Sequence, residues 1–420
     1  MALLARISSL LLLSSWAFAF TPQVIFSGIL ATQSSGSSGS EAGVMGAGAR
    51  NFLTPSSLTA QLVPTPGTWS NFYVNLDVAP GAGTSYTFTF RTNNSSSSLT
   101  CTASDSQTSC SDTDVTHSSH TVIGDVVSIL LVTSGSPTAA RTRWTIQFMP
   151  DTPNQYILMG CGVENTLTNA YTPMSGNFNF GNSTAKGVIP LNGTFKNLYV
   201  SRTIAPGAGH SMTYTYLTNA AASSLSCVIS GASATSCSDV SDSSSVVAGD
   251  IVQIRQTPSA PNAGTGGFGV VYVPNNPGEF PVISNDQNAI INVTTYDFIQ
   301  LTNSNLDTTE SRLQIPAVSP VPGLKFKNLY AALQTAPGSG TSYTITLRQN
   351  AASPTGGPAC TVSGTATTCN DTSGLAWSAV SDLWDYVITP SNTPGTTGTE
   401  RFGITGFINQ DNAPYYGTGF

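Results

Sequence analysis

The stretch Ala79–Arg91, APGAGTSYTFTFR, decides the fold of this chain. Proline at the second turn position and glycine at the third favour a type II turn, in which Gly81 takes a positive φ. Behind the turn, Tyr86, Phe88 and Phe90 alternate with threonine or arginine neighbours. This period of two is typical of a half-buried β-strand. The stretch therefore predicts a turn that starts a core strand.

A phosphate-binding glycine loop is the alternative interpretation of the same stretch, because two glycines stand close together. Such a loop lies between a strand and a helix, whose N-terminal amides face the anion. Here a strand pattern follows the glycines, and neither G-x-G-x-x-G spacing nor a Lys-Ser/Thr pair is present. We therefore interpret the loop as structural.

The stretch returns twice, as APGAGHSMTYTYL from Ala205 and as APGSGTSYTITLR from Ala336. A period of about 130 residues indicates tandem domains, since solenoid repeats run about 20–50 residues. We divide the chain into a signal peptide and three β-sandwich repeats, at 1–19, 20–152, 153–277 and 278–420. The joints between repeats are short, which favours domains stacked like beads.

The composition favours strands over helices. Only 8% of the residues are charged, against about 25% in an ordinary globular domain. Helical surfaces draw on Glu, Lys, Arg and Gln, whereas this chain is rich in Ser, Thr, Gly and Asn. We predict an all-β protein of three tandem antiparallel β-sandwiches, with the jelly roll as the favoured version.

Charge and the N-terminal segment limit partners and location. The net charge is −7 without a basic run, so nucleic-acid binding and a polybasic membrane motif are not expected. The first residues, MALLARISSLLLLSSWAFAF, have the anatomy of a signal peptide cleaved near Ala19. An uncleaved anchor is the alternative, although the apolar run is short for a membrane span. We expect an extracellular protein, or one on a virion surface, with no membrane span after cleavage.

Cysteine spacing agrees with export. Six cysteines form three local pairs, at Cys101/Cys110, Cys227/Cys237 and Cys360/Cys369. The pairs are too widely spaced for C-x-x-C chemistry, and in an oxidising compartment each could bridge neighbouring strands. Cys161 is left over, either buried and inert or available for a bond between chains.

Aspartates recur at two positions of each repeat, after the second cysteine and before a later strand. Paired acids in loops bind Ca²⁺ when backbone carbonyls complete the oxygen shell. The alternative is that each Asp caps a turn with its own side chain, which needs no ion and no cofactor. The positions are Asp112, Asp239 and Asp371, and then Asp125, Asp250 and Asp382.

Histidines and tyrosines supply two further hypotheses. His117 and His120 could recruit a metal with Asp112 or Asp114, but the loop has no helix to fix them, so solvated histidines are preferred. Tyr73, Tyr199 and Tyr330 recur opposite the apolar alternation. They either stack on sugars or pack beneath a neighbouring loop.

Catalytic patterns are missing from the sequence. G-x-S-x-G, H-E-x-x-H and Ser/His/Asp arrangements do not occur, and no glutamate recurs in all three repeats as a glycosidase pair would need. We therefore assign no catalytic residue and predict a protein that is not an enzyme.

The repeated APGxGxSYTxTxR, cysteine-pair and Asp motifs resemble those of uncharacterised secreted and phage-type structural proteins. These are built from tandem jelly-roll-like modules, reminiscent of head- or tail-fibre and C1q/TNF-like domains. The C1q-like resemblance implies a homotrimer, so the chain itself is one expected partner. The signal peptide is a departure from most phage virion proteins.

Three hypotheses of function follow. The first is a non-enzymatic exported structural or adhesive protein, because the scaffold repeats and reactive residues do not. The second is a multivalent carbohydrate-binding protein, in which three modules compensate for weak single sites on surface glycans. The third is a secreted hydrolase with one diverged repeat.

Overall fold

A computed structural model describes residues 21–46, 52–53, 61–163, 169–177, 186–260, 264–284, 297–302, 306–317, 323–379, 382–395 and 400–408. These residues form β-strands, turns and two short 3-10 helices, Ser35–Ser37 and Glu310–Arg312, and contain no α-helix. The predicted signal peptide at 1–19 lies outside the described residues. The all-β prediction is confirmed.

Within the described residues, each of the three sequence repeats contributes ten strands. In the first they are β1 (Gln23–Gln33), β2 (Ser40–Ala42), β3 (Gln61–Leu62), β4 (Gly67–Leu76), β5 (Gly81–Thr92), β6 (Ser95–Asp105), β7 (Ser109–Asp112), β8 (Ser119–Thr121), β9 (Val126–Ser134) and β10 (Ala140–Pro150).

In the second repeat they are β11 (Tyr156–Val163), β12 (Ala170–Thr172), β13 (Gly176–Asn177), β14 (Gly187–Val188), β15 (Gly193–Arg202), β16 (Gly207–Thr218), β17 (Ala221–Gly231), β18 (Ser236–Val246), β19 (Ile251–Pro258) and β20 (Thr265–Pro274).

In the third repeat they are β21 (Glu279–Ile283), β22 (Asp297–Ile299), β23 (Leu306–Asp307), β24 (Ile315–Ala317), β25 (Leu324–Leu333), β26 (Gly338–Gln349), β27 (Ala359–Gly364), β28 (Thr368–Trp377), β29 (Asp382–Ser391) and β30 (Glu400–Ile408).

Strand pairing gives two facing sheets per repeat. In the first repeat one sheet has the order β1-β10-β4-β7 and the other has the order β2-β9-β5-β6, with β3 also on β9. The second and third repeats use the corresponding strands in the same order. First and last long strands are therefore neighbours, which is the arrangement of a jelly roll. Nearly all pairs are antiparallel; the short pair β11–β13 is parallel.

The repeated stretch forms the turn and strand that its sequence predicts. Gly81, Gly207 and Gly338 have φ values of +102°, +104° and +108°, a region that glycine enters without steric cost. On β5, Tyr86 and Phe88 point into the core, and the threonines between them stay partly exposed. The alternation therefore places one face of each sheet inside its sandwich.

The repeats also contact one another head to tail. Strand β3 of the first repeat packs on β11, β15 and β20 of the second. In the same way β14 of the second repeat packs on β25 and β30 of the third, and β24 of the third packs on β1, β4 and β10 of the first. The same edge of each repeat thus meets the same sheet of the next, and the third contact closes a ring.

Hydrogen bonds join all three interfaces of the ring. The Gln23 side-chain amide donates to the Ile157 carbonyl (2.9 Å) and accepts from its N–H (2.8 Å). The Thr405 hydroxyl donates to the Pro190 carbonyl. The Thr302 hydroxyl donates to the Phe26 carbonyl at 3.0 Å. The repeats accordingly form a closed ring, and not the row of beads that their short joints suggested.

The hydrophobic core continues across the repeats. One cluster of buried side chains includes residues of the first and second repeats together, such as Trp144 and Phe195. The core of the third repeat takes in Val24 and Phe26 of the first and Tyr156 of the second. The apolar side chains between repeats are buried as deeply as those within a sandwich, which stabilises the ring.

Candidate functional site

The first set of recurring aspartates links two consecutive strands in every repeat. One Asp239 oxygen accepts from the Ser226 N–H at 2.9 Å, and the other accepts from the N–H groups of Ser241 and Asp242. Asp371 accepts in the same pattern. Burial alone raises the pKa of these two carboxyls, but their hydrogen-bond donors outweigh it and hold each pKa below its usual value.

Asp112 repeats the arrangement and adds a histidine. Its oxygens accept from the Thr100 N–H at 2.8 Å and the Asp114 N–H at 3.3 Å, while His117 Nδ1 lies 3.1 Å from both carboxylate oxygens. His120 does not join this group, because its Nε2 contacts Asp151 at 2.9 Å. The H-x-x-H pair is therefore split between two carboxylates.

The second set of aspartates pairs with an asparagine. In the first repeat the Asn93 amide donates to Asp125 at 2.7 Å, and Asp125 also accepts from the Val122 N–H. The equivalent pairs are Asn219 with Asp250 and Asn350 with Asp382, each at 2.7 Å. These contacts tie the start of β9, β19 or β29 to the turn that follows β5, β16 or β26 in the same repeat.

All six aspartates thus accept hydrogen bonds from nearby N–H groups and fix the local backbone. Their oxygens face N–H donors, whereas a calcium site surrounds the ion with oxygen ligands. In the part of the chain that the structure covers, no three His, Cys, Asp or Glu side chains converge as a metal site would require. A calcium ion at these positions stays an untested prediction.

The cysteines are paired as their spacing predicts. Disulfides join Cys101 to Cys110, Cys227 to Cys237 and Cys360 to Cys369, each with a Cα–Cα distance of 5.6–5.7 Å. The two cysteines of each pair lie on consecutive strands that belong to opposite sheets, so each bridge ties the two sheets of its repeat together and does not join two neighbours of one sheet. Cys161 is buried and forms no disulfide, which agrees with the first of its two predicted states.

Two of the three recurring tyrosines line clefts between repeats. Tyr73 lies in a cleft of about 500 Å³ between the first and third repeats, together with Asn75, Pro316 and Leu383. Tyr330 lines a smaller cleft of about 160 Å³, where its ring sits near Gly249 of the second repeat. Tyr199 is half-buried on the outer face of its sheet. The environments of the three side chains are therefore not equivalent.

Buried ionic clusters lie at matching positions in the first and third repeats. Arg91 pairs with Glu41, which also accepts from the Ser128 hydroxyl. Arg348 makes two hydrogen bonds to Glu310, at 2.8 and 3.1 Å. Opposite Arg348 lies Asp385, which is fully buried and has no hydrogen-bond partner on either carboxylate oxygen.

The outer face of the third repeat carries a row of side chains that sequence reasoning missed. Trp377, Lys325 and Phe407 lie side by side on β28, β25 and β30, and we call them the aromatic–lysine row. The Lys325 ammonium lies 3.4 Å from the centroid of the Trp377 ring and 5.6 Å from that of Phe407. The Trp377 side chain is 52% exposed.

An internal alignment would have revealed this row. Lys325 is the third residue of the motif GLKFKNLYA, where the first two repeats have Thr68 in GTWSNFYV and Thr194 in GTFKNLYV. The departure is visible only when the three repeats are set against one another, because a single lysine in a strand carries no signal by itself.

Comparison with known proteins adds no family. The chain matches no protein-family model and no curated protein sequence. Within the described residues, no helix has the length and apolar character needed to cross a bilayer. The three disulfides are compatible with an extracellular protein.

Proposed function

We propose that the protein is a non-enzymatic, exported structural or adhesive protein that presents three β-sandwich repeats on a cell or particle surface. The observation that carries the proposal is that the recurring aspartates form hydrogen bonds within their own repeats. Asp112, Asp239 and Asp371 each accept from an N–H of the preceding strand, which belongs to the opposite sheet, and so link the two sheets of their repeat. The three repeats thus share residues that hold the scaffold together. The carboxylates of these residues already accept hydrogen bonds from the backbone.

The closed ring supports the same role. A display or adhesive protein needs a rigid body that presents outer faces, and head-to-tail packing with a shared core supplies one. The homotrimer implied by the C1q-like resemblance stays a prediction. Carbohydrate binding at Tyr73, Tyr199 and Tyr330 and a hydrolase activity also stay hypotheses, because no contact of the described residues singles either of them out.

Surface labelling tests the proposal. Intact producing cells, or purified particles, are treated with an amine-reactive biotin reagent that does not cross membranes, and the protein is analysed by mass spectrometry. We expect labelled lysines, oxidised cysteine pairs and an N-terminus near Phe20. A cytosolic marker protein serves as the negative control. An unlabelled protein with reduced cysteines and an intact Met1 would contradict export and with it the display role.

A further inference from the structure

The aromatic–lysine row stands out when the same row is compared in all three repeats. The register that places Trp377 and Phe407 beside Lys325 places His120 and Met149 beside Thr68 in the first repeat. In the second repeat it places Ser245 and Val273 beside Thr194. The first two repeats therefore form the same row without a tryptophan, a phenylalanine or a lysine, and these three side chains are not required to form the sheet.

The tryptophan of this row is accessible, unlike the others in the described residues. Trp69, Trp144 and Trp384 are fully buried in the cores, whereas Trp377 exposes about half of its surface. One face of its ring is covered by the Lys325 ammonium. Leaving a large apolar ring in water is unfavourable, and the polar residues of the other two repeats show that the fold does not need it there.

Among the described residues, no carboxylate pairs with the lysine of the row. Lys325 is only 6% exposed, and it forms no ion pair within the described part of the chain. Its neighbour Lys327, in contrast, pairs with Glu279. Lys325 is a nearly buried residue whose ammonium lies over the Trp377 ring, and such a charge is incompletely compensated, because cation–π contacts replace little of the lost hydration. An anionic group that approaches between Trp377 and Phe407 would supply the missing charge.

We infer that the aromatic–lysine row binds a saccharide that carries a carboxylate, such as a uronic acid. The negative face of an exposed indole attracts the C–H bonds on the flat side of a sugar ring. The carboxylate then pairs with the Lys325 ammonium in a charge-assisted contact. The inference goes beyond the structural role proposed above, and it places the carbohydrate site away from the three recurring tyrosines.

Titration with charged and neutral sugars tests the site. The full-length secreted chain is titrated with oligogalacturonate and with the neutral galactose oligomer of the same length, and binding is followed by tryptophan fluorescence and calorimetry. We expect a fluorescence change with the acidic oligomer and at least about tenfold weaker binding of the neutral one. Binding of the acidic oligomer weakens as salt is raised, because ions screen the contact.

Variants taken from the other repeats locate the site. Trp377→Ser introduces the residue of the second repeat and abolishes binding, while Lys325→Met keeps the aliphatic stem and removes the preference for the acidic oligomer. Tyr199→Ala, which removes an outer-face tyrosine of the second repeat, is the control and binds as the parent does. Circular dichroism verifies that each variant is folded.

Several results would overturn the inference: no binding of the acidic oligomer, equal affinity for both sugars, or binding that survives Trp377→Ser. Tighter binding of oligoglutamate than of oligogalacturonate would replace the saccharide with an acidic peptide. None of these results bears on export or display, so a failure of this site is distinguishable from a failure of the proposed structural function.

Discussion

The first and third repeats hold a partly buried arginine at the same position of the strand register, Arg91 opposite Ser128 and Arg348 opposite Asp385. In the first repeat the partner Glu41 is 4% exposed and receives a second hydrogen bond from Ser128. In the third, Glu310 lies in a surface turn, and the facing Asp385 has no hydrogen-bond partner.

The second repeat shows that the fold does not need either cluster. Leu217 and Gln253 occupy the equivalent pair, and both are buried. The fold therefore does not require an ion pair at this position, and the first and third repeats form one with different partners. The first repeat has a compensated charge pair, and the third has a pair with an extra acid beside it.

The largest effect is expected from removing the arginine of the compensated pair. Arg91→Leu introduces the residue of the second repeat and leaves the buried Glu41 carboxylate without its cation. Stranding a buried charge costs about 3–5 kcal/mol of unfolding free energy, measured by urea denaturation. Arg348→Leu is the matched variant, and we expect about half that loss or less, because Glu310 can turn to solvent. Equal losses would show that the two clusters do not differ.

The next effect is a dependence of stability on pH caused by Asp385. Burial, the nearby Glu310 charge and the opposing effect of Arg348 together raise the pKa of Asp385 to about 9, whereas the unfolded carboxyl keeps the ordinary value of about 3.9. Between these values the folded state holds a proton that the unfolded state has released. The free energy of unfolding therefore falls as pH rises, by at most about 1.4 kcal/mol per pH unit.

Asp385→Asn removes this titration and flattens the profile between about pH 4 and 9, the window set by the two pKa values. Denaturation midpoints measured across that range detect the change. The exposed Asp242 supplies the control Asp242→Asn, which keeps the slope of the parent. A parent protein whose stability is already flat over the window would contradict the buried, protonated state of Asp385.

The smallest effect is expected at Ser128, which faces Arg91 in the first repeat at the position where Asp385 faces Arg348 in the third. Ser128→Ala removes one hydrogen bond to Glu41 while Arg91 remains, so the loss is about 1 kcal/mol of unfolding free energy. Ser134→Ala, at the exposed end of the same strand, changes stability by less than about 0.5 kcal/mol. If both variants behave alike, the Ser128 hydroxyl does not support the Glu41 charge.

Local features of the fold were predictable from the sequence. The alternation after the Pro-Gly turn places Tyr86, Phe88 and Phe90 in the core, because side chains on a strand point to opposite faces in turn. The spacing of the cysteines also predicts which cysteines pair, although each bridge joins the two sheets and not two strands of a hairpin. These features depend on residues close together in the chain, where geometry leaves few alternatives.

Contacts between distant residues were not predictable in the same way. Glu41 lies on strand β2 and Glu310 in a 3-10 helix, so no shared motif marks the two partners of the equivalent arginines. Closure of the ring depends on which sheet edge meets which face, and sequence spacing does not encode it. For the candidate site, Lys325 and Trp377 are brought together only by strand register.

The ring has a consequence for how the assembly responds to dilution. A trimer of separate chains loses its subunits as protein concentration falls below the dissociation constant, because binding follows mass action. Here each head-to-tail interface joins parts of one polypeptide, so the local concentration of each partner surface is set by the connecting segments. The bonds from Gln23 to Ile157 and from Thr302 to Phe26 therefore form at any bulk concentration of the protein.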